Sequence, residues 1–473
     1  MGDVNAQVKD GMLGRSDSAS GRGVHVKVGV SSVTSEAPIT IKGTMSPEEI
    51  KGLLGDCPLA DACITSAEWG ATDMRVVPVA STTDGTVGTI THTGTGAGTF
   101  AITGKPNNNF NIVVEIVTAG ENNEAEFKYS LNGGESFSDE IVVPLAGEYT
   151  IPLTGLKLTF TEANNSDSWK AGDQYVAVCT APSASNANIL EGIRSLINYK
   201  SAFEFVHVVG TTTSALWASV ASLANQFMTT YKRPLMFICE ARNAGTSETT
   251  AAYAAAMLQE AKGVTNYEVQ VVASWSEYVR YDGVAVPVNN AALIAGLYAQ
   301  AKESQSIGEV QSFPISEGKI NKLLPEGIDD YIEQLDAARY LTLRTYNGIN
   351  GYYVSNAKMM CPAGSDYKYA EDVRVSNRLV RDVRTAALTK LQIEIDPENI
   401  EADIAKLEEY LNTPVETAAK TDKIISSGRL TIDRENLNIL VDEEFTATIS
   451  YVPMGHVRII NLVFQVRNPL SAS

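Results

Sequence analysis

Three short runs, Phe205-Val206-His207-Val208-Val209, Leu235-Met236-Phe237-Ile238-Cys239 and Val269-Gln270-Val271-Val272-Ala273, are almost unbroken in apolar residues. Between them lie two stretches of helical pattern, Ser214–Thr230, which Ser214 would cap, and the Ala-rich Ala251–Ala261. A strand with no polar face must be covered on both sides, and strands that alternate with helices are joined by crossovers. This pattern therefore demands a mostly parallel sheet with helices on both faces. The scheme continues through Val284-Ala285-Val286, a helix over Asn290–Ala301, and a helix at Ile328–Ala338 that leads into Tyr340-Leu341-Thr342-Leu343. Upstream, Val24–Val30 alternates at period two and reads as a half-buried strand with His25 on its solvated face. A Ser cap, Pro at the first helical position and Glu at the third start a helix at Ser46-Pro47-Glu48-Glu49-Ile50, and Gly55 stops it.

From Ala80 to Pro182 the composition shifts to Thr, Gly, Asn and alternating apolar residues, with no sustained helical period. Strands are expected at Asn111–Val117, Glu126–Ser130 and Leu156–Phe160, with turns at Asn132-Gly133-Gly134 and Thr154-Gly155, which suits a small sandwich. The glycine-rich Gly94–Gly98 lies among β-branched residues with no helix after it, so a phosphate would find no helix N-terminus there. The oxygen-rich stretch from Asn164 to Asp173 lacks the spaced carboxylates of a calcium loop and reads as a turn. After the α/β part come a helix over Glu371–Ile395, a break at Pro397 and a second helix to Leu411. Period-two strands follow at Arg429–Ile432, Leu437–Leu440, Glu444–Val452 and Val457–Arg467.

Charge and chemistry narrow the function. Among 473 residues, 37 Lys and Arg stand against 56 Asp and Glu, a net charge of −19, which repels nucleic acid and anionic membrane. The five cysteines are scattered with no C-x-x-C spacing and read as buried thiols of a reducing compartment. No leader-like N-terminus and no apolar stretch of about 20 residues is evident, so the chain is expected to stay in water. The four histidines, His25, His92, His207 and His456, sit in no nucleophile or metal motif, and His207 reads as a hydrogen-bonded core residue. Glu408-Glu409 and Glu443-Glu444 are adjacent pairs that diverge on a helix or strand, and are read as solvated faces. Catalytic, cofactor-binding and metal-binding residues are therefore all given as none, and the chain is read as not an enzyme.

Two features ask for partners. Arg374, Arg378, Arg381 and Arg384 recur at spacings of four, three and three, which lines four guanidiniums along one stripe of a helix. The stripe serves either internal ion pairs or contact with another acidic surface. The terminal strand places Ile460, Leu462, Phe464 and Val466 on one face, and a long open apolar edge would aggregate. It pairs within its own domain or adds to a neighbour's sheet, and a Gly- and Ser-rich N-terminal arm over residues 1–23 invites the second.

The order of these parts resembles the sheath protein of contractile bacteriophage tails and phage-tail-like particles. It is carried by the N-terminal arm, the interrupted α/β domain, Leu335-Asp336-Ala337-Ala338-Arg339-Tyr340 running to Gly348–Val354, the arginine helix with Val380-Arg381-Asp382, and the C-terminal strands. The organisation expected is an arm over 1–23, a discontinuous α/β core over 24–79 and 184–365, and an all-β decoration over 80–183. An α+β C-terminal domain over 366–456 and a strand arm over 457–473 complete it. The resemblance implies a six-fold helical homo-oligomer around a tail tube, bounded by baseplate and tail terminator proteins, with terminal arms adding strands to neighbours and a metastable state that contracts. It implies no cofactor, no direct nucleic-acid contact and no membrane insertion, and a place in a virion tail or tail-like particle assembled in the bacterial host cytoplasm. The rival readings are an α/β enzyme with a β carbohydrate-binding module and a surface adhesin whose β insert binds a ligand.

Overall fold

A computed structural model describes residues 21–163, 168–435 and 439–466. The chain divides into two compact units at Arg381/Asp382. The first is built on a six-stranded sheet of β1 (His25–Val30), β2 (Ile39–Lys42), β3 (Asp73–Val79), β4 (Phe205–Thr212), β5 (Met236–Ala241) and β6 (Val269–Val272). Their spatial order is β6-β5-β4-β1-β3-β2, parallel throughout except for β2, an antiparallel edge strand. The apolar runs of β4, β5 and β6 are buried end to end, as strands covered on both faces must be.

Helix α1 (Pro47–Leu54) starts with the expected capping box: the Ser46 hydroxyl accepts the Glu49 N–H, and the Glu49 carboxylate accepts the Ser46 N–H. Helix α2 (Pro58–Glu68) packs on β1 and β4, and the almost wholly apolar α3 (Ala291–Gln300) packs on β4 and β5. Leu293, Ile294, Leu297 and Tyr298 of α3 enter the same core as Phe205, Phe237 and Trp217.

Some expectations need correction. His25 is fully buried and stacks on Phe205 with ring centroids 4.8 Å apart, because β1 lies at the centre of the sheet and has no solvated face. Val284–Val286 does not extend the parallel sheet; Ala285–Asn289 joins Trp275–Val279 and Ile320–Leu324 in a separate antiparallel sheet. The parallel sheet stops at β6 because its free edge is already taken, by Leu341 bonded to Val271 and Ala273 and by Met360 bonded to Val269. Of the strand expected over Leu437–Leu440, Leu437 and Asn438 lie outside the described residues, and Ile439 and Leu440 belong to a single helical turn, Ile439–Asp442.

Residues 86–180 form two further sheets. One orders Glu148–Ile151, Leu156–Thr161 and Thr99–Gly104; the other is centred on Gln174–Thr180, Asn111–Thr118 and Glu126–Ser130. Their inner faces enclose a separate core of Phe100, Phe127, Phe160, Trp169 and Tyr175, with edge-to-face packing between Phe160 and Trp169. The glycine-rich segment wraps the buried Asp173, whose carboxylate accepts the N–H groups of Thr95 and Gly96. Residues 164–167 of the oxygen-rich stretch lie outside the described residues. All five cysteines are buried and free. Among the described residues no helix is long and apolar enough to cross a membrane.

One core carboxyl carries a testable consequence. Glu268, 1% exposed and leading into β6, is pushed up to about 8 by burial. It keeps its proton in the folded chain at pH values where the unfolded chain has lost it, so its contribution is full below the unfolded carboxylate range and is lost as pH rises toward 8. Glu268→Gln is expected to remove a slope of about 1.4 kcal/mol per pH unit between pH 5 and 8. Denaturant titrations of both proteins across that range measure it; parallel profiles would contradict it.

Candidate functional site: the arginine helix and the C-terminal hairpin

Helix α4 (Ala370–Leu388) carries the arginine stripe past the point where the first unit ends. The structure separates the four arginines rather than presenting them together. Arg374 is 1% exposed. Its Nε donates to Glu204, and its terminal nitrogens donate to the carbonyls of Tyr298 at 2.8 Å, Ala301 at 3.2 Å and Lys302 at 3.3 Å. The guanidinium thus caps the C-terminus of α3, where the carbonyls and the helix dipole favour a cation, and lies 5.1 Å over the Tyr298 ring. Arg378 donates to Glu303 at 2.7 Å. Burial alone would raise the Glu303 pKa, but the Arg374 and Arg378 guanidiniums outweigh it and hold the carboxyl below its usual range. Arg381 is half-buried, and Arg384 is exposed.

Neither Glu204 nor Glu303 was singled out from the sequence. Glu204 left a trace, a carboxylate between Phe203 and Phe205, because a charge inside an apolar run needs a buried partner. Lys27 left the same trace among the valines of β1. Its amine lies 2.9 Å from His207 Nδ1, and His207 Nε2 lies 2.9 Å from Glu240, so one chain of polar groups crosses β1, β4 and β5. His207 is the core histidine expected, held neutral by burial, and Lys27 and His207 are both fully buried.

In the second unit, helix α5 (Ile400–Glu416) buries Ile404, Leu407, Leu411 and Val415 on one face. That face packs on β7 (Ile425–Ile432), which pairs antiparallel with β8 (Ala447–Pro453). The backbone N–H of Leu430 donates to Asn412 Oδ1 at 2.8 Å, and that of Ile432 to Glu408 Oε2 at 3.0 Å. These two donors point away from β8, so side chains of α5 occupy the outer edge of β7. Glu408 is correspondingly 8% exposed, against the solvated face expected for it, and its neighbour Glu409 is the one that faces water. Glu443 and Glu444 are exposed.

The register then fixes the other edge. Leu430 opposes Ile449 and Ile432 opposes Ala447. Since the Leu430 and Ile432 amides turn outward, both are non-hydrogen-bonded pairs, and the backbone groups of Ala447 and Ile449 turn outward on β8. Among the described residues no strand pairs with that edge. Downstream, residues 457–466 form no strand within their own chain. Ile460, Leu462, Phe464 and Val466 are 75%, 71%, 89% and 104% exposed, and Val457, Ile459 and Val463 are about as open.

No curated protein matches this sequence. Among solved structures, the sheath tail protein of Desulfitobacterium hafniense is similar over 96% of this chain and 100% of its own, with a TM-score of 0.50 at 13% identity. The helical sheath of the anti-feeding prophage in its contracted state is similar over 98% of each chain, with a TM-score of 0.54 at 9% identity. At these identities the likeness is one of fold: the mixed α/β architecture with several sheets is that of contractile-tail sheath proteins. Family models for the DUF2586 N-terminal domain and the DUF2586 C-terminal domain match residues 1–358 and 366–471, and the chain belongs to the DUF2586 family.

Proposed function

We propose that this protein is a structural subunit of a contractile tail sheath, polymerising as a six-fold helical cylinder around a tail tube through interchain β-strand addition, and contracting to drive the tube through a target envelope. The observation that carries the reading is the segment 457–466: seven apolar side chains, each at least 71% exposed, follow a two-stranded sheet with one edge unpaired among the described residues. A contiguous exposed apolar stretch is costly in water and marks a surface made for a partner. The partner that fits is the outer edge of β8 in a second copy, where main-chain hydrogen bonds give affinity and the Ile460, Leu462, Phe464 and Val466 face continues the apolar layer under α5. Residues 1–20 are assigned the same part at the other end of the chain, although they lie outside the described residues. Within the arginine stripe, Arg384 is the exposed member and is assigned to the contact with a tube or sheath neighbour, since Arg374 and Arg378 already serve carboxylates of their own chain.

The two sheets of residues 86–180 are assigned the role of an outer decoration, and the tail tube, baseplate and terminator are the partners. The likeness to a helical sheath in a contracted state supports that assembly and a place in a tail or tail-like particle.

Negative-stain microscopy of the purified protein, alone and with its tube protein, tests the proposal, and tubes are expected. Ile449→Pro sharpens it. Proline there removes an N–H of the outer edge and leaves the hydrogen bonds of the β7–β8 hairpin intact, so that variant is expected to stay monomeric and folded. Wild-type protein that never forms tubes would defeat the sheath reading, whereas tubes from Ile449→Pro would defeat only the choice of edge.

A further inference from the structure

The chain enters the α/β body through a tight turn. Val24 N–H donates to the Gly21 carbonyl at 3.2 Å, and Gly21 and Gly23 hold φ of +68° and +69°. A Cβ on Gly21 would lie 2.8 Å from the Ala202 carbonyl carbon, and one on Gly23 would lie 2.6 Å from the Ala299 carbonyl oxygen. Only glycine fits that backbone conformation and that approach. Residues 21–23 are therefore a fixed root at which the chain enters the body.

Two buried carboxylates lie against this root. Glu204, 1% exposed, accepts the Gly23 N–H on Oε2 at 3.0 Å and the Arg374 Nε–H on Oε1. Glu303, 0% exposed, accepts from Arg378 on Oε1 at 2.7 Å, and its Oε2 lies 3.7 Å from Arg22 Nε. Each carboxylate thus turns one oxygen to the root of the N-terminal segment and the other to α4. Arg374 and Arg378 are one helical turn apart, so the two bridges stack along the helix.

We propose that Glu204 and Glu303 form a clamp that couples the root of the N-terminal segment to α4, so that loosening either one loosens the other. A buried carboxylate cannot lose a partner without a large penalty, so when the root shifts, the carboxylate follows it or α4 gives way. Arg374, fixed by three carbonyls as well as Glu204, is the anchor. Arg22, with 37% of its side chain exposed, is the member through which the clamp opens. The coupling is independent of the sheath reading.

Hydrogen exchange on the full-length protein tests it. Arg22→Ala, at the most exposed member of the clamp, is expected to speed amide exchange about ten-fold at residues 21–26 and also at 374–381, with residues 236–241 of β5 unchanged. Glu303→Gln is expected to give the same paired response. Faster exchange at residues 21–26 with α4 unaffected, or no change in either segment, would overturn the clamp.

Discussion

Removal of residues 457–473 is expected to abolish tube formation while leaving the first unit folded. The segment lies outside that unit, and residues 457–466 contribute no strand to their own chain. Among the described residues, deletion therefore removes no ladder hydrogen bond of the six-stranded sheet and no residue of its core. What it does remove is the apolar row Ile460, Leu462, Phe464 and Val466. Burying a side chain of that kind is worth about 1.5–3 kcal/mol, so four of them are an appreciable part of a subunit contact. Sedimentation velocity and electron microscopy of the truncated protein, with far-UV circular dichroism to monitor the fold, provide the measurement. Normal tubes would show that the segment is dispensable. Supplying the missing residues as a free peptide is expected to restore little assembly, because a peptide bound to one hairpin does not link two subunits.

Arg374→Ala is expected to destabilise the first unit by about 3–5 kcal/mol, the cost of leaving a buried charge without its partner. Glu204 is 1% exposed, and Arg374 supplies its Oε1 contact. The same change strips the side-chain donors from three carbonyls at the end of α3. Lysine is a poor substitute, since a compact ammonium cannot reproduce a planar fork that serves a carboxylate and a helix terminus together. By contrast, Arg384→Ala, one of the same four arginines but exposed, is expected to change stability by less than about 0.5 kcal/mol. Denaturant titrations of the two variants compare them directly, and equal effects would mean that burial does not divide the stripe.

The sequence carried the elements well where one physical signal was enough. The apolar runs of β4, β5 and β6 required a sheet covered on both faces, and Ser46, Pro47 and Glu49 wrote the start of α1 into three residues. Glycines marked the turns at Gly133, Gly134 and Gly155, all of which adopt positive φ. The period-two pattern over Val457–Arg467 led to an expected strand, and residues 457–466 form none within their own chain.

Tertiary structure decided what those signals leave open. Period two in Val24–Val30 specifies a strand but says nothing of its neighbours, and the central place of β1 turned an expected solvated histidine into a buried one. A stripe of four arginines specifies a face of a helix but says nothing of what lies opposite. Glu204 and Glu303 lie 170 and 75 residues from the arginines they pair with, and only the fold brings them together. The outer edge of β7 was likewise settled by Asn412 and Glu408 on another element. Helix caps, turns and hydrophobic period are local properties of the chain, whereas burial and charge pairing depend on long-range packing, which determines which residues meet.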